Sequence, residues 1–216
     1  MDEPRGDERE GLLFFGRMSA GISHEIKNVL AVISEIAGLF GDLALAAERG
    51  RELNPAQLSR LSQKMAEQIK RADNVARRLN RFAHSVDEPR RRVDLCEEIA
   101  FFADLTFRYS ERRGFCLEIK TPGKPVPAET DPFALLIALF MCLESAQDAA
   151  VKGSPLSLSL DAEDTEAVIA FSGSFREQPA PGPEKRAALN PWLARAGASL
   201  AAPGKTRPLE IRLGSI

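Results

Sequence analysis

The sequence predicts an α+β protein in which an N-terminal helical hairpin forms a dimeric four-helix bundle and an α/β sandwich follows. Two observations support this prediction. Apolar residues recur every three or four positions through residues 11–88, as on one face of a helix. Beyond residue 93, helical patterns alternate with short strand-like segments. We therefore predict a disordered polar tail at residues 1–10, the hairpin at 11–88 and the sandwich at 93–216.

The first helix of the hairpin is predicted from about residue 10 to residue 49, a length of about 60 Å. Gly50 is typical of a helix stop, and Asn54-Pro55 is typical of a cap followed by proline at the first helical position. The apolar stripe of this helix consists of Phe15, Met18, Ile22, Ile26, Val29, Ile33, Ile36, Phe40 and Leu43.

The second helix is predicted at residues 55–87, with an apolar seam close to a heptad repeat. The seam consists of Leu58, Leu61, Met65, Ile69, Ala72, Val75, Leu79, Phe82 and Val86. One hairpin cannot cover both apolar stripes, so the simplest solution is a homodimer in which two hairpins make a four-helix bundle. The alternative is that the C-terminal half of the same chain covers the stripe.

The second half of the chain begins after Pro89, where the run Arg90-Arg91-Arg92 is interpreted as a solvated hinge. The predicted helices are residues 95–112, a buried helix capped by Asp131-Pro132 and ending near residue 150, and residues 187–196. The predicted strands are residues 115–120, 156–160, 167–171 and 209–213. A proline-rich loop at residues 179–183 precedes the last helix.

Composition narrows the function classes. The net charge of −2 argues against a nucleic-acid or membrane-surface partner. Cys96, Cys116 and Cys142 are odd in number and far apart, which indicates buried thiols in a reducing cytoplasm, and they form no metal-ligand spacing with the two histidines. The most apolar run, residues 133–143, is too short to cross a bilayer. We expect a cytoplasmic protein without a membrane sensor.

His24 lies on the outer face of the first helix, about 160–200° around the axis from the apolar positions on either side of it. Most of its neighbours on that face are small, which leaves the backbone open to close approach. The surface we expect a partner protein to contact consists of Arg17, Ala20, Gly21, Lys27 and Ala31. The alternative interpretation of His24 is a solvated surface histidine.

The segment MSAGISHEIKN at residues 18–28 resembles the phosphoacceptor motif of bacterial two-component sensor histidine kinases. Residues 79–83, 93–95 and 131–133 are similar to further segments of that family's catalytic core, so the resemblance covers nearly all of the chain. It implies that His24 is phosphorylated, that it lies on a dimeric helix bundle, and that an ATP-binding domain follows the bundle along the chain. Glu25 would then orient the ring and act as a base, and Asn28 would position water for dephosphorylating a receiver aspartate.

The predicted ATP-binding domain departs from the family pattern. Met141 and Ser145 stand where the family has two asparagines, and methionine is no ligand for a hard cation. The segment 171–175 lacks the family's aspartate, and the glycine-rich lid is replaced by the proline-rich segment 177–183. We therefore expect no ATP binding, no cofactor and no metal site in this chain, with Mg²⁺ supplied by a partner receiver domain.

Three functions follow from these residues. The leading hypothesis is a histidine phosphotransferase, resembling those built on the kinase scaffold, that exchanges phosphoryl groups between His24 and receiver-domain aspartates. Response-regulator receiver domains would be its partners, and an upstream hybrid histidine kinase is a further candidate. The second is an ATP-dependent histidine kinase with a divergent nucleotide site. The third is a non-catalytic dimeric regulator or a response-regulator phosphatase that uses Asn28. His84 lies outside these motifs and is interpreted as a surface residue.

Overall fold

The structure is a computed structural model that describes residues 6–163, 165–202, 204 and 207–214. The helices are α1 (Gly6–Glu48), α2 (Pro55–Ala83), α3 (Leu95–Arg112), α4 (Pro132–Ala149) and α5 (Pro183–Ala196), with a 3₁₀ turn at His84–Val86. The strands are β1 (Arg91–Asp94), β2 (Leu117–Lys120), β3 (Pro127–Thr130), β4 (Leu156–Glu163), β5 (Glu166–Gly173), β6 (Ala198–Leu200) and β7 (Leu209–Gly214). The predicted α+β class is confirmed.

The chain divides into two compact units, one formed by residues 19–83 and the other by residues up to 18 together with those from 84 onward. The prediction placed residues 11–18 with the hairpin instead. The difference arises because Phe14 is buried against Phe133 and Phe140 of α4, with ring centroids 6.1 and 5.1 Å away. α1 also begins at Gly6, inside the segment predicted to be a disordered tail; residues 1–5 of that tail lie outside the described residues.

The hairpin unit follows the predicted stop and start signals. Gly50 adopts a positive φ of 81° and donates its backbone N–H to Ala47, and the next N–H reaches Ala46, which is the Schellman arrangement. Asn54 Oδ1 accepts from the N–H of Ala56 at 2.9 Å and so caps α2.

The apolar stripes are only partly covered within one chain. Val29 and Val75 are buried, whereas Ile69, predicted in the seam of α2, is 56% exposed. Phe15 is also exposed, because α1 turns Phe14 rather than Phe15 towards its apolar contacts. Val86, the last predicted seam residue, is 48% exposed and lies in the 3₁₀ turn that follows α2.

The second unit contains a five-stranded sheet in the order β2-β4-β5-β7-β6, in which β2 and β4 are parallel and the other pairs antiparallel. Strand β4 alternates buried leucines with half-buried serines as predicted, because one face of the sheet is packed. Helix α4 is apolar on nearly every side and is almost wholly buried, in contact with α3, α5 and β5. Asp131 caps it by accepting the N–H of Ala134 at 3.0 Å.

The predicted arginine hinge is a strand. Arg91 and Arg92 lie in β1, which pairs antiparallel with β3 in a separate two-stranded sheet. Asp94 ends this strand and caps α3, accepting from the N–H of Cys96 at 3.0 Å and that of Val126 at 2.9 Å. These two hydrogen bonds tie the end of β1 to the first turn of α3 and to Val126, the residue before β3.

On length and composition alone, two described helices could cross a membrane. One is α4, and 89% of its apolar window is buried within the protein. The other is the Arg9–Glu48 part of α1, and only 11% of its 18-residue apolar window is buried. The burial of α4 accounts for its apolar composition as a core helix, and the predicted cytoplasmic location stays a prediction.

Candidate functional site

The centre of the candidate site is the exposed imidazole of His24 on α1, within the hairpin unit. Its Nδ1 lies 3.2 Å from Nδ2 of Asn28, one helical turn further on. In this arrangement Asn28 donates to Nδ1 and the ring proton is on Nε2. Turning the amide over would let its oxygen accept the Nδ1 proton, which leaves the Nε2 lone pair free. Only the turned-over amide therefore leaves a ring nitrogen, Nε2, with a lone pair free for attack.

Glu25 does not contact the ring. Its carboxylate accepts a hydrogen bond from Arg78 Nη2 and lies 3.7 Å from Arg71 Nη2, both on α2. The side chain of Glu25 is only 14% exposed. A largely buried carboxylate is costly unless a cation pairs with it, and the two arginines supply that pairing. The contact predicted between Glu25 and His24 is thus absent from this structure, and Asn28 is the side chain that contacts the imidazole.

The arginine partners of Glu25 were missed by the sequence analysis, although a signal for them exists. Arg71 and Arg78 are seven residues apart on α2, so they share one face of that helix. A carboxylate beside an apolar stripe requires such cations on the helix packed against it. The positions could have been paired only by knowing the register of the two helices.

The predicted partner-contacting surface is largely open. Ala20, Lys27 and Ala31 are exposed, and a Cβ built on Gly21 would meet no atom within 4 Å. Arg17 belongs to the other unit, where its Nη1 lies 2.9 Å from Oε1 of Glu144. The small residues beside His24 therefore offer room for the backbone of a partner.

The two α4 positions at which the resembled family has asparagines, Met141 and Ser145, are buried. Met141 is 3% exposed, and the hydroxyl of Ser145 donates to the backbone oxygen of Met141 at 3.0 Å. Glu144, next to Ser145 in the sequence, accepts a hydrogen bond from the hydroxyl of Tyr109. Its carboxylate also forms ion pairs with Lys185 and Arg17. Within the described ranges, no group of three or more His, Cys, Asp or Glu side chains could hold a metal ion. The thioether of Met141 is no ligand for a hard cation, and the hydroxyl of Ser145 is already bonded to the backbone of its own helix.

Packing also explains the glycine at the end of β5. A Cβ on Gly173 would lie 2.8 Å from Cδ2 of Leu156, so glycine is needed there for close approach to β4. In the loop that replaces the lid, the N–H of Ala180 donates to Gln178, and the prolines have no N–H to donate. Pro179, Pro181 and Pro183 thus remove three backbone donors from this loop, and the N–H of Ala180 is already bonded.

No protein-family model and no curated protein matches the chain. Solved structures do resemble it. The catalytic domain of histidine kinase ThkA is 11% identical, with 58% of this chain and 95% of that chain covered and a TM-score of 0.49. The Acinetobacter baumannii histidine kinase AdeS is 10% identical, with 89% and 98% covered and a TM-score of 0.45. ThkA in complex with the response regulator protein TrrA is 14% identical, with 96% and 64% covered and a TM-score of 0.46.

Proposed function

We propose that this protein is a histidine phosphotransferase that exchanges phosphoryl groups between His24 and aspartates of response-regulator receiver domains without using ATP. The observation that carries the proposal is the exposed imidazole on an open helix face, contacted by the amide of Asn28 at 3.2 Å. Met141 and Ser145 stand where the resembled family has asparagines, and their burial supports a route that does not begin with ATP.

In the proposed reaction a ring nitrogen of His24 attacks the phosphorus of a receiver's aspartyl phosphate. The N–P bond forms as the acyl O–P bond breaks, and the aspartate leaves as a carboxylate. The second ring nitrogen keeps its proton, and the amide oxygen of Asn28 can accept a hydrogen bond from it. The reverse of these steps transfers the phosphoryl group from His24 to the aspartate of a second receiver. Mg²⁺ held by the receiver would neutralise phosphate charge, and positioning supplies much of the rate.

The test is transfer of label from receivers phosphorylated with radiolabelled acetyl phosphate. We expect the protein to acquire label from at least one receiver of its own organism, and we expect none from radiolabelled ATP with Mg²⁺. His24→Ala should abolish labelling. His84→Ala is the matched control, because His84 is exposed and contacts Asp87 instead. Labelling that survives His24→Ala, or intact protein that no receiver labels, would refute the proposal.

The contact between Asn28 and His24 also favours phosphatase activity towards receivers. An amide on the exposed face can orient water towards an aspartyl phosphate without changing its own charge. Under this second proposal, His24→Ala keeps the dephosphorylation of labelled receiver, whereas Asn28→Ala loses it. Equal decay with both variants and with receiver alone excludes the activity.

We propose in addition that two hairpins pair as a homodimer. Val32 and Leu39 border the buried stripe of α1 and are 38% and 43% exposed, and Ile69 of α2 is 56% exposed. A second copy would remove this apolar surface from water. Sedimentation of the wild type should give a dimer, and Leu39→Glu should shift it towards monomer. A wild type that stays monomeric at high micromolar concentration would exclude the bundle.

A further inference from the structure

We propose that a basic groove between the C-terminal ends of α3 and α4 binds a small phosphate-bearing molecule. The groove encloses about 470 Å³ and opens to solvent. Arg112, Arg113, Lys152 and Arg176 line it, with Gln147 between them. Pockets for small ligands commonly have volumes of about 300–1,000 Å³. The groove lies within the unit of the α/β sandwich, whereas His24 belongs to the hairpin unit, so this proposal does not rest on the phosphotransferase.

The groove carries more positive charge than its own carboxylate neutralises. Arg113 forms an ion pair with Asp148 and donates to the hydroxyl of Tyr109 at 2.9 Å. Burial lowers the pKa of Arg113, but these two partners outweigh burial and raise it overall. Arg176 donates to a backbone oxygen at 3.0 Å, and Arg112 makes a 3.4 Å contact with another. In the part of the chain that the structure describes, neither of these arginines nor Lys152 has a carboxylate partner.

A buried amide in the wall of the groove is a second, independent observation. Gln147 is 3% exposed, and its Nε2 donates to Oγ of Ser110 at 2.9 Å. Its Oε1 is buried and has no hydrogen-bond partner among the described residues. Turning the amide over would pair Oε1 with the serine hydroxyl and leave Nε2 unpaired instead. In the turned-over orientation the unpaired atom is Nε2, a donor whose hydrogen bond a phosphate oxygen could accept.

The walls of the groove are firmly supported. Phe115, 9% exposed, packs with Ala150 and Leu156 in a small apolar cluster beneath it. The backbone bonds from Val151 N to Ser174 O and from Arg176 N to Ala149 O, both 2.8 Å, hold the adjoining loops together. The cations are therefore presented by a preformed surface, which reduces the ordering cost of binding.

The chemistry favours phosphate over other anions. Guanidinium groups match the paired oxygens of phosphate, and a phosphate group carries more charge than a carboxylate. The groove is also distinct from the aligned nucleotide positions. Gln147 points roughly 120–160° around α4 from Met141 and Ser145, so it faces the other side of that helix. The source is either inorganic phosphate or an organic phosphate ester, and the probes below distinguish these sources.

The test is titration calorimetry of the full chain with inorganic pyrophosphate and with phenyl phosphate, using phenol as the uncharged control. We expect saturable binding with one site per chain, weakened about tenfold by Lys152→Gln and by Arg176→Gln. Lys120→Gln removes an exposed lysine from β2 and is the charge-matched control, with an expected change below about twofold. Gln147→Leu should weaken binding as well, and circular dichroism checks that each variant folds.

Tighter binding of pyrophosphate supports an inorganic ligand, and tighter binding of phenyl phosphate supports an organic ester that also contacts Phe115. Absence of saturation by either probe at about 5 mM would overturn the proposal. So would affinities that are equal in the wild type, the control and the two groove variants.

Discussion

Replacing Arg78 by methionine tests what Glu25 does, because Arg78 is its hydrogen-bonded partner. The two side chains are 18% and 14% exposed, so solvent screens their attraction only weakly. A hydrogen bond to a charged group contributes about 1.5–3 kcal/mol, and removing one partner also leaves the other charge partly buried. Arg71 remains 3.7 Å from the carboxylate and retains part of the attraction. We therefore expect Arg78→Met to lower the free energy of unfolding by about 2 kcal/mol, which for a chain of this size lowers Tm by about 4–8 °C.

The assay is urea denaturation of the wild type, Arg78→Met, Glu25→Gln and the double variant. The double-mutant cycle should give a coupling energy of about 1–2 kcal/mol between the two side chains. Arg77→Met is a suitable control, since Arg77 pairs with Asp73 at the surface and should change stability by less than about 0.5 kcal/mol. A coupling energy near zero would refute the view that this pair stabilises the hairpin.

The same variants separate a structural Glu25 from a catalytic one. If the role of Glu25 is to pair with the arginines of α2, the phosphotransfer rate of folded Glu25→Gln should stay within about threefold of the wild-type rate. A general base, by contrast, contributes about 10²–10⁴ in rate. A folded Glu25→Gln variant that loses transfer a hundredfold or more would show that Glu25 moves to the ring during reaction.

Three further outcomes are expected. Phe14→Ala should cost about 3–4 kcal/mol in urea unfolding, because the ring is 2% exposed, and a loss below about 1 kcal/mol would show that the first turns of α1 are not docked. Gly173→Ala should cost about 1–3 kcal/mol, since its Cβ would lie 2.8 Å from a leucine carbon, whereas Gly16→Ala, with open space around it, should not destabilise. Burial raises the pKa of Cys142 to about 12, so an aromatic disulfide reagent at pH 8 should modify exposed Cys116 first and Cys142 only on unfolding; early reaction of Cys142 would contradict its burial.

The long helices could be predicted because their signals are local. Gly50 and Asn54 mark the hairpin loop, and Asp131 marks the start of α4, each through bonds to nearby backbone groups. Strands β1, β3 and β6 were missed because each has only three or four residues; β2 is as short, but the alternation that predicted it begins two residues earlier, at Phe115. β1 also contains two arginines. In the sequence they indicated a hinge, whereas in the structure both are exposed on a short strand paired with β3.

The candidate site shows the same limit of local reasoning. The outward direction of His24 follows from helix geometry alone and agrees with its exposure in the structure. The partner of Glu25 depends on how α1 and α2 pack, and spacing along one helix cannot show it. The choice between Phe14 and Phe15 was likewise decided by contacts with α4, more than a hundred residues away.

Under the proposed function, the geometry around His24 bears on which molecule donates the phosphoryl group. The imidazole of His24 is exposed, and Ala20 and Ala31 beside it are small and exposed, so a donor protein has room to approach the ring there. Met141 and Ser145, which stand where the resembled kinase family has asparagines, are buried; a thioether is no ligand for Mg²⁺, and the Ser145 hydroxyl is bonded to the backbone. A donor that carries its own metal and its own activated phosphate meets both constraints, and an aspartyl-phosphate receiver is such a donor. For that reason the ATP arm and the receiver arm of the labelling experiment, run on the same preparation, separate the phosphotransferase from a kinase.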